Sequence, residues 1–540
     1  METSAGDPAS AEGEAVDSAP PESALSAQEH AQARFAAFPR FEAWLGRAER
    51  HELTRFVLLR LLGFVYTAAF ASLLLQVVPL IGEHGITPAR VHIAELVQQT
   101  GSPLQAAAYE PSLFLWLPPS DASLLALAWL GLGLALALLL GVTNAWLMLA
   151  LWLLYRSFVA IGQLWYGYGW ELLLLETGFL AIFSAPLKSL GPFPRHRVPL
   201  GLVWLYRWLA FRVMLGAGLI KLRGDRCWRD LTCLDFHFET QPLPNPLSPL
   251  FHALPHSAHA AGVVFNHVAE LLLPFCLLLP RRVRALAGLG MIAFQLTLIA
   301  SGNLSFLNWL TIVPLLASFD DKMLARVLPA SLVARAARAL PAPPSARLTV
   351  ALLGACIALL SISPVANMFA RRQRMNAAFD SLMLVNSYGA FGSVGRQRRE
   401  LSIEGTRDPD PGPEARWSAY ELPYKPGDPA RGLPIISPLQ PRLDWQLWFA
   451  AMASAEDEPW LLHLVWQLLH AEPSVRGLFA KDPFGDQPPR YVRIMRYRYQ
   501  LAAPGADTVW TRELEGYWLP PLPADDILRD AMRQLGYATD

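Results

Sequence analysis

The chain has 540 residues, 45 Lys and Arg balanced by 45 Asp and Glu, 53% hydrophobic residues and only 17% charged ones. Soluble domains carry about 25% charged residues, so the composition excludes a wholly soluble protein, and the zero net charge argues against a nucleic-acid binder, which needs a basic surface. Four cysteines are too few for a disulfide scaffold.

Residues 1–33 are rich in Ala, Ser, Glu, Gly and Pro, without an apolar period, and read as a disordered tail. Residues 35–53 mix aromatics with arginine, which fits a juxtamembrane helix on the membrane surface. Together, 1–54 are expected to be cytoplasmic.

A bilayer core about 30 Å thick takes a helix of about 20 apolar residues. Candidate runs lie at 56–80, 123–141, 145–161, 169–185, 202–222, 262–280, 284–301, 304–319 and 348–369. Runs 145–161 and 304–319 are short enough to be re-entrant. The first run starts too deep in the chain and is too long to be a cleaved signal peptide. The expectation is a polytopic α-helical membrane domain over 55–370 with about nine spans.

Loop charge agrees with that count. Arg34, Arg40, Arg47, Arg50 and Arg55 precede the first span. Basic residues then recur in the loops 186–201, 280–284 and 320–347, all cytoplasmic on this count. Two stretches resist it: 221–239, and Arg371, Arg372 and Arg374, are basic yet fall outside.

Polar side chains inside the proposed spans include Arg156, Gln163, Glu171, Glu176, Arg207, Arg212, His267, Glu270, Gln295 and Asn308. Ionisable groups in a bilayer are costly and by default mark a functional interior. Structural ion pairs, such as Glu176 with Arg212, are the plainer account. His267 and Glu270, three apart, share a helix face.

The densest polar cluster follows the fifth span, in GAGLIKLRGDRCWRDLTCLDFHFETQPLPNP at 216–246. Gly216 and Gly218 permit close backbone approach. Lys221 stands at the helix end, and Trp228 suits an interfacial belt. Cys227 and Cys233 are not spaced as a redox CxxC, so a structural disulfide is favoured, contributing roughly 2 kcal/mol. A zinc site of Cys227, Cys233 and His237 lacks an evident fourth ligand. There is no nucleophile triad, P-loop or dinucleotide fingerprint, so no cofactor is expected.

Residues 371–540 change character: rich in Trp, Tyr, Pro and Arg, they hold no long apolar run. The alternation in RYVRIMRYRYQ at 490–500 reads as a strand, as do 398–404, 417–422 and 508–514. Stretches 442–453 and 458–471 read as helices. The expectation is a C-terminal β-sandwich-like extramembrane domain carrying a helical insertion.

The motifs GAGLIKLRGD, CWRDLTC and HFETQPLPNP resemble the lipase maturation factor family. So do NSYGAFGSVGRQRRELSIEG (386–405), YELPYKPGDP (420–429), SPLQPRLDWQLWFA (437–450), EPWLLHLVWQLL (458–469) and KDPFGDQPPRYVR (481–493). The resemblance covers roughly 50–520. It marks Arg223, Asp225, Arg226, Trp228, Arg229, Asp230, His237, Glu239, Gln241, Asn245, Arg442, Asp444 and Trp445 as motif residues. It implies a membrane-embedded factor that assists maturation of exported proteins, lipases among them, with the C-terminal domain on the client side and membrane lipid around the helices. Animal members reside in the endoplasmic reticulum membrane; the Ala, Leu and Arg content here points to a bacterial inner membrane, with the C-terminal domain periplasmic. A second resemblance is shorter: AGLIKL followed by Trp228 is similar to the AGxxKL…W pattern of the vitamin K-dependent carboxylase-like membrane family. It implies Lys221 as the base of an integral membrane enzyme.

Overall fold

The computed structural model describes residues 49–503 and 505–537. The expected tail, and the surface helix up to residue 48, lie outside the described residues. From Glu49 onward the chain forms one compact unit.

Among the described residues, six helices are long and apolar enough to cross a membrane: Glu52–Leu74, Asp121–Leu140, Leu200–Arg223, His256–Cys276, Arg281–Ser301 and Pro344–Phe369. The other three expected spans form shorter helices, Ala145–Ile161 (17 residues), Gly169–Ser184 (16 residues) and Leu307–Leu315 (9 residues). At about 1.5 Å per residue, even the longest of these falls short of a hydrocarbon core. Local chemistry sets the limits. Asn144 caps one start by accepting from the Trp146 amide at 2.8 Å. The same helix stops at Gly162, where the chain enters a 3₁₀ turn with Gln163 at φ 48°. The integral membrane class stands, and among the described residues six of the nine expected spans are helices of full crossing length.

The helix ends sort into two groups by their bonds. At one, the arginine-rich stretches meet. The Leu53 amide donates to Asp321 Oδ1 at 2.7 Å, the Val198 amide to Glu52 Oε1 at 2.7 Å, and Arg284 Nη2 to Glu49 Oε2 at 2.6 Å. At the other, the C-terminal region is seated. Gln467 Nε2 donates to the His84 carbonyl at 2.9 Å, Trp170 Nε1 to Gln440 Oε1 at 2.9 Å, and Asn303 Nδ2 to the Pro434 carbonyl at 2.9 Å.

The expected strands form, but not a sandwich. β1 (Arg398–Thr406), β2 (Ser418–Tyr420), β3 (Tyr491–Leu501) and β4 (Trp510–Pro523) make a single antiparallel sheet in the order β2-β1-β3-β4. Leu401 and Ile403 of β1 and Val492 and Ile494 of β3 are buried. The helices Arg442–Ala450 and Trp460–Leu469, inserted between β2 and β3, pack on this sheet. The apolar helix WLLHLVWQLL supplies the second layer that covers the sheet's hydrophobic face, so no second sheet is required. β4 runs on through Pro520 and Pro521 because it is an edge strand, where a missing N–H costs no ladder bond.

Two close approaches fix the strap between the last membrane helix and β1. A Cβ on Gly216 would lie 2.6 Å from the Tyr388 carbonyl oxygen, and one on Gly224 would meet the Gly392 carbonyl oxygen. Glycine at both positions lets residues 388–392 run against the Leu200–Arg223 helix.

Candidate functional site

Lys221 sits in the last turn of the Leu200–Arg223 helix and is buried. Its Nζ donates to Glu270 Oε1 at 2.7 Å, to Glu270 Oε2 at 2.8 Å and to Asn266 Oδ1 at 2.8 Å. Asn266 Nδ2 closes the ring on Glu270 Oε2 at 3.0 Å. The ammonium also lies 5.0 Å from the Trp228 ring centroid, within cation–π range. Glu270 reaches this position from a π-helical turn, Val268–Leu272, followed by Pro274. Such turns rotate one residue out of the α-helical register. Beside Glu270, His267 bonds the Trp228 carbonyl at 2.9 Å. Three acceptor oxygens thus surround the Lys221 Nζ.

Two further carboxylates in the Gly169–Ser184 helix hold the C-terminal region. Glu176 pairs with Arg212 Nη2 and accepts from the Asn386 amide at 3.1 Å and the Tyr388 hydroxyl at 2.6 Å. Arg212 Nη1 donates to the Asn386 carbonyl at 2.7 Å. Glu171 accepts from Arg442 Nη1 at 2.9 Å and from the Tyr155 hydroxyl. Arg442 also donates to the Trp165 carbonyl and stacks on Tyr166, 3.5 Å from its ring centroid. Trp445, one turn along, meets Trp170 edge-on at 5.2 Å. Arg156 is the exception: buried, it donates through Nη2 to the Ser381 carbonyl at 2.7 Å, while its Nε and Nη1 make no hydrogen bond.

The central segment is a second seam. Cys227 and Cys233 form a disulfide with Cα atoms 4.8 Å apart, so the zinc reading of these thiols with His237 is overturned. Asp225 accepts from the Cys227 amide at 3.0 Å and from Arg396 at 3.1 Å. Arg223 reaches Gln373 Oε1 at 2.7 Å. Glu239 accepts from the Leu501 amide at 2.8 Å. Gln241 Nε2 donates to Ser248 Oγ at 3.0 Å, and Asn245 Nδ2 to the Ala300 carbonyl at 3.0 Å. Arg226 and Asp230 pair with each other on the exposed surface, at 3.1 Å, and Arg229 is exposed beside them. Burial, with the Lys221 ammonium nearby, pushes the His237 imidazole down to about 4, so the ring is neutral and packs edge-on against Phe391.

Asp444 is legible as a motif residue, but its role is local. Its Oδ1 accepts the Tyr424 and Lys425 amides at 3.0 and 2.8 Å. Burial raises its carboxyl to about 6 against the opposing pull of those amides. A folded-state value above the unfolded one means the folded chain keeps a proton that the unfolded chain has lost. The resulting stabilisation is full below about 4 and disappears as pH rises through about 6. The wild type is therefore expected to gain stability over Asp444→Asn by on the order of 2–3 kcal/mol between pH 7 and pH 4. Thermal unfolding of the pair at each pH measures it, and the comparison cancels the opposite contribution of His237, common to both.

Several partners were not legible as site residues: Asn266, Tyr155, Asn386, Tyr388, Arg398, Glu400 and Lys425. Arg398 donates to the Gln241 and Pro242 carbonyls at 2.5 and 2.9 Å and pairs with Glu400, which also holds Lys425 at 2.9 Å. For Arg398 and Glu400 the available signal was a pair of opposite charges two apart, on one face of an expected strand.

A family model described as "Lipase maturation factor transmembrane domain" matches residues 53–326, and one described as "Lipase maturation factor C-terminal domain" matches 384–520. The chain is 45% identical over 510 residues to lipase maturation factor 1 of Bos taurus, covering 89% of this chain and 91% of that protein. It is 45% identical over 513 residues to the Homo sapiens protein of that name, covering 90% of each. Lipase maturation factor 2 of Mus musculus is 30% identical over 600 residues, covering 87% of this chain and 83% of that protein. No solved structure matches the chain. The carboxylase-like alternative finds no support in these likenesses.

Proposed function

The chain belongs to the lipase maturation factor family, and on that premise we propose that it is a membrane-embedded maturation factor whose clients are exported lipases. The observation that carries this reading is a likeness at 45% identity running through both the membrane helices and the C-terminal domain. We place the protein in a bacterial inner membrane, with the N-terminus cytoplasmic and the C-terminal domain periplasmic. In this reading the three short helices also traverse, giving nine crossings. The bonds of the C-terminal domain to His84, Gln241 and Asn303 support that count, since these residues follow the first, fifth and seventh crossings.

Lys221 is on this account an anchor. It ties the fifth crossing to the sixth through Glu270 and supports the disulfide loop through Trp228.

The test compares a strain lacking the protein with strains carrying Lys221→Met or Lys221→Met with Glu270→Leu. Deletion is expected to lower the specific activity of exported lipases at unchanged synthesis. The single variant leaves a buried carboxylate unpaired, a loss of about 3–5 kcal/mol, and should lower the protein's abundance; removing Glu270 as well should restore much of it. An abundant but inactive Lys221→Met would instead assign chemistry to the lysine. Unchanged lipase activity on deletion would remove the maturation reading.

A further inference from the structure

Two stretches on the side that bears the C-terminal domain present large apolar side chains outward. In the first, Leu104, Tyr109 and Trp116 are 76%, 69% and 63% exposed. Between Gly101 and Ser120 the only charged residue is Glu110. In the second, Leu247, Leu250 and Leu254 are 45%, 65% and 44% exposed. From Gln241 to Ala269 the sequence holds no Asp, Glu, Lys or Arg. A water-facing loop is normally polar, and contiguous exposed apolar surface marks contact with something else.

What that is follows from where each stretch leads. The first runs directly into Asp121–Leu140, a helix only 28% buried within the protein, with Trp129 and Leu130 exposed. The second runs into His256–Cys276, only 33% buried, with Val264 and Phe265 exposed. Those helices face lipid; the second stretch enters its helix without a charged break, and the first is interrupted by the half-buried Glu110 and by Asp121, whose carboxylate accepts the Glu83 amide at 2.9 Å. Both stretches also satisfy their own backbone through short helices, Pro103–Tyr109 and Ser248–His252. The Glu110 amide donates to Ala106 at 2.9 Å and the Phe251 amide to Leu247 at 3.1 Å. Internally bonded backbone is what partial immersion in a bilayer requires.

We propose that these two stretches are interfacial anchors, seated at the headgroup–acyl boundary of the leaflet beneath the C-terminal domain, with the lipid surface as their partner. Tyr109 and Trp116 are suited to that depth. Because neither stretch is basic, the attachment is apolar, and its depth is insensitive to lipid charge. The anchors hold at membrane level the loops that carry His84 and Gln241, and so set the height of the domain bonded to them.

The test uses the full chain in lipid nanodiscs, with the free thiols Cys276 and Cys356 replaced by alanine and the Cys227–Cys233 bridge intact. Nitroxide labels are placed through Leu104→Cys, Leu250→Cys and, as a control on the sheet, Leu514→Cys, a residue 54% exposed. Labels at 104 and 250 are expected to collide more with oxygen than with a water-soluble nickel chelate, and the label at 514 the reverse. Phosphatidylcholine and phosphatidylcholine–phosphatidylglycerol discs should give the same depths. Labels at 104 and 250 that behave like the one at 514 would overturn the proposal. So would labels shielded from both reagents, which would mean cover by protein. An unlabelled pair gives a second reading: Trp116→Phe should reduce fluorescence quenching by brominated lipid, and unchanged quenching would count against the anchor.

Discussion

Arg442→Leu is expected to destabilise the protein by about 3–5 kcal/mol and to loosen the C-terminal domain from the membrane helices. Arg442 is completely buried and supplies the cation to Glu171, 2.9 Å away. Without it, Glu171 is left fully buried with neutral partners such as the Tyr155 hydroxyl. The Trp165 carbonyl and the Tyr166 ring face lose their partner at the same time. Limited proteolysis should then release a fragment containing the 442–469 helices under conditions where the wild type is intact. Adding Glu171→Leu should recover much of the stability, because two apolar residues of similar volume replace the pair without leaving a charge. A single variant as resistant as the wild type would mean that this ion pair does not hold the domain.

Glu176→Leu is expected to be comparably damaging, and harder to rescue. Glu176 is bonded to Arg212, the Asn386 amide and the Tyr388 hydroxyl. Its loss strands a guanidinium and two strap donors at once. Arg212→Met on that background removes the stranded charge, but still leaves the Asn386 amide and the Tyr388 hydroxyl unpaired, each costing about 1–3 kcal/mol. The double variant should therefore recover only part of the loss, in contrast to the Glu171–Arg442 case. Thermal unfolding of the four variants in a cycle reads the difference. Full recovery would mean that the strap contributes nothing to the site. Because residues 386–388 pass over Gly216, a Gly216→Ala change should disturb the same site from the opposite side.

The strands of the C-terminal domain were legible because their signal is local. The alternation at 490–500 is carried by consecutive residues, and β3 forms at Tyr491–Leu501. The sandwich was not, because the layer that covers a sheet is chosen by whatever apolar surface the chain brings to it, here the Trp460–Leu469 helix. Glu171 and Glu176 could be recognised as costly residues that demand partners, five positions apart on one helix. For Glu176 the pairing with Arg212 was legible and is formed; its strap partners Asn386 and Tyr388, and the Arg442 that holds Glu171 from the C-terminal domain, could not be read. His267 and Glu270, expected on one helix face, meet the same cluster: His267 bonds the Trp228 carbonyl, and Glu270 holds the Lys221 that lies over the Trp228 ring.

From residues alone came the membrane class, the polar segment after the fifth apolar run, the strand positions and the list of charges too costly to leave unpaired. These depend on composition, period and solvation, which are properties of short stretches. The Glu176–Arg212 pair was also named from the sequence, but only the tertiary structure decided the others: Lys221 with Glu270 across 49 positions and Arg442 with Glu171 across 271. An ion pair in a low-dielectric interior is set by a few ångströms between charged atoms, and that distance exists only after helices far apart in the chain have packed.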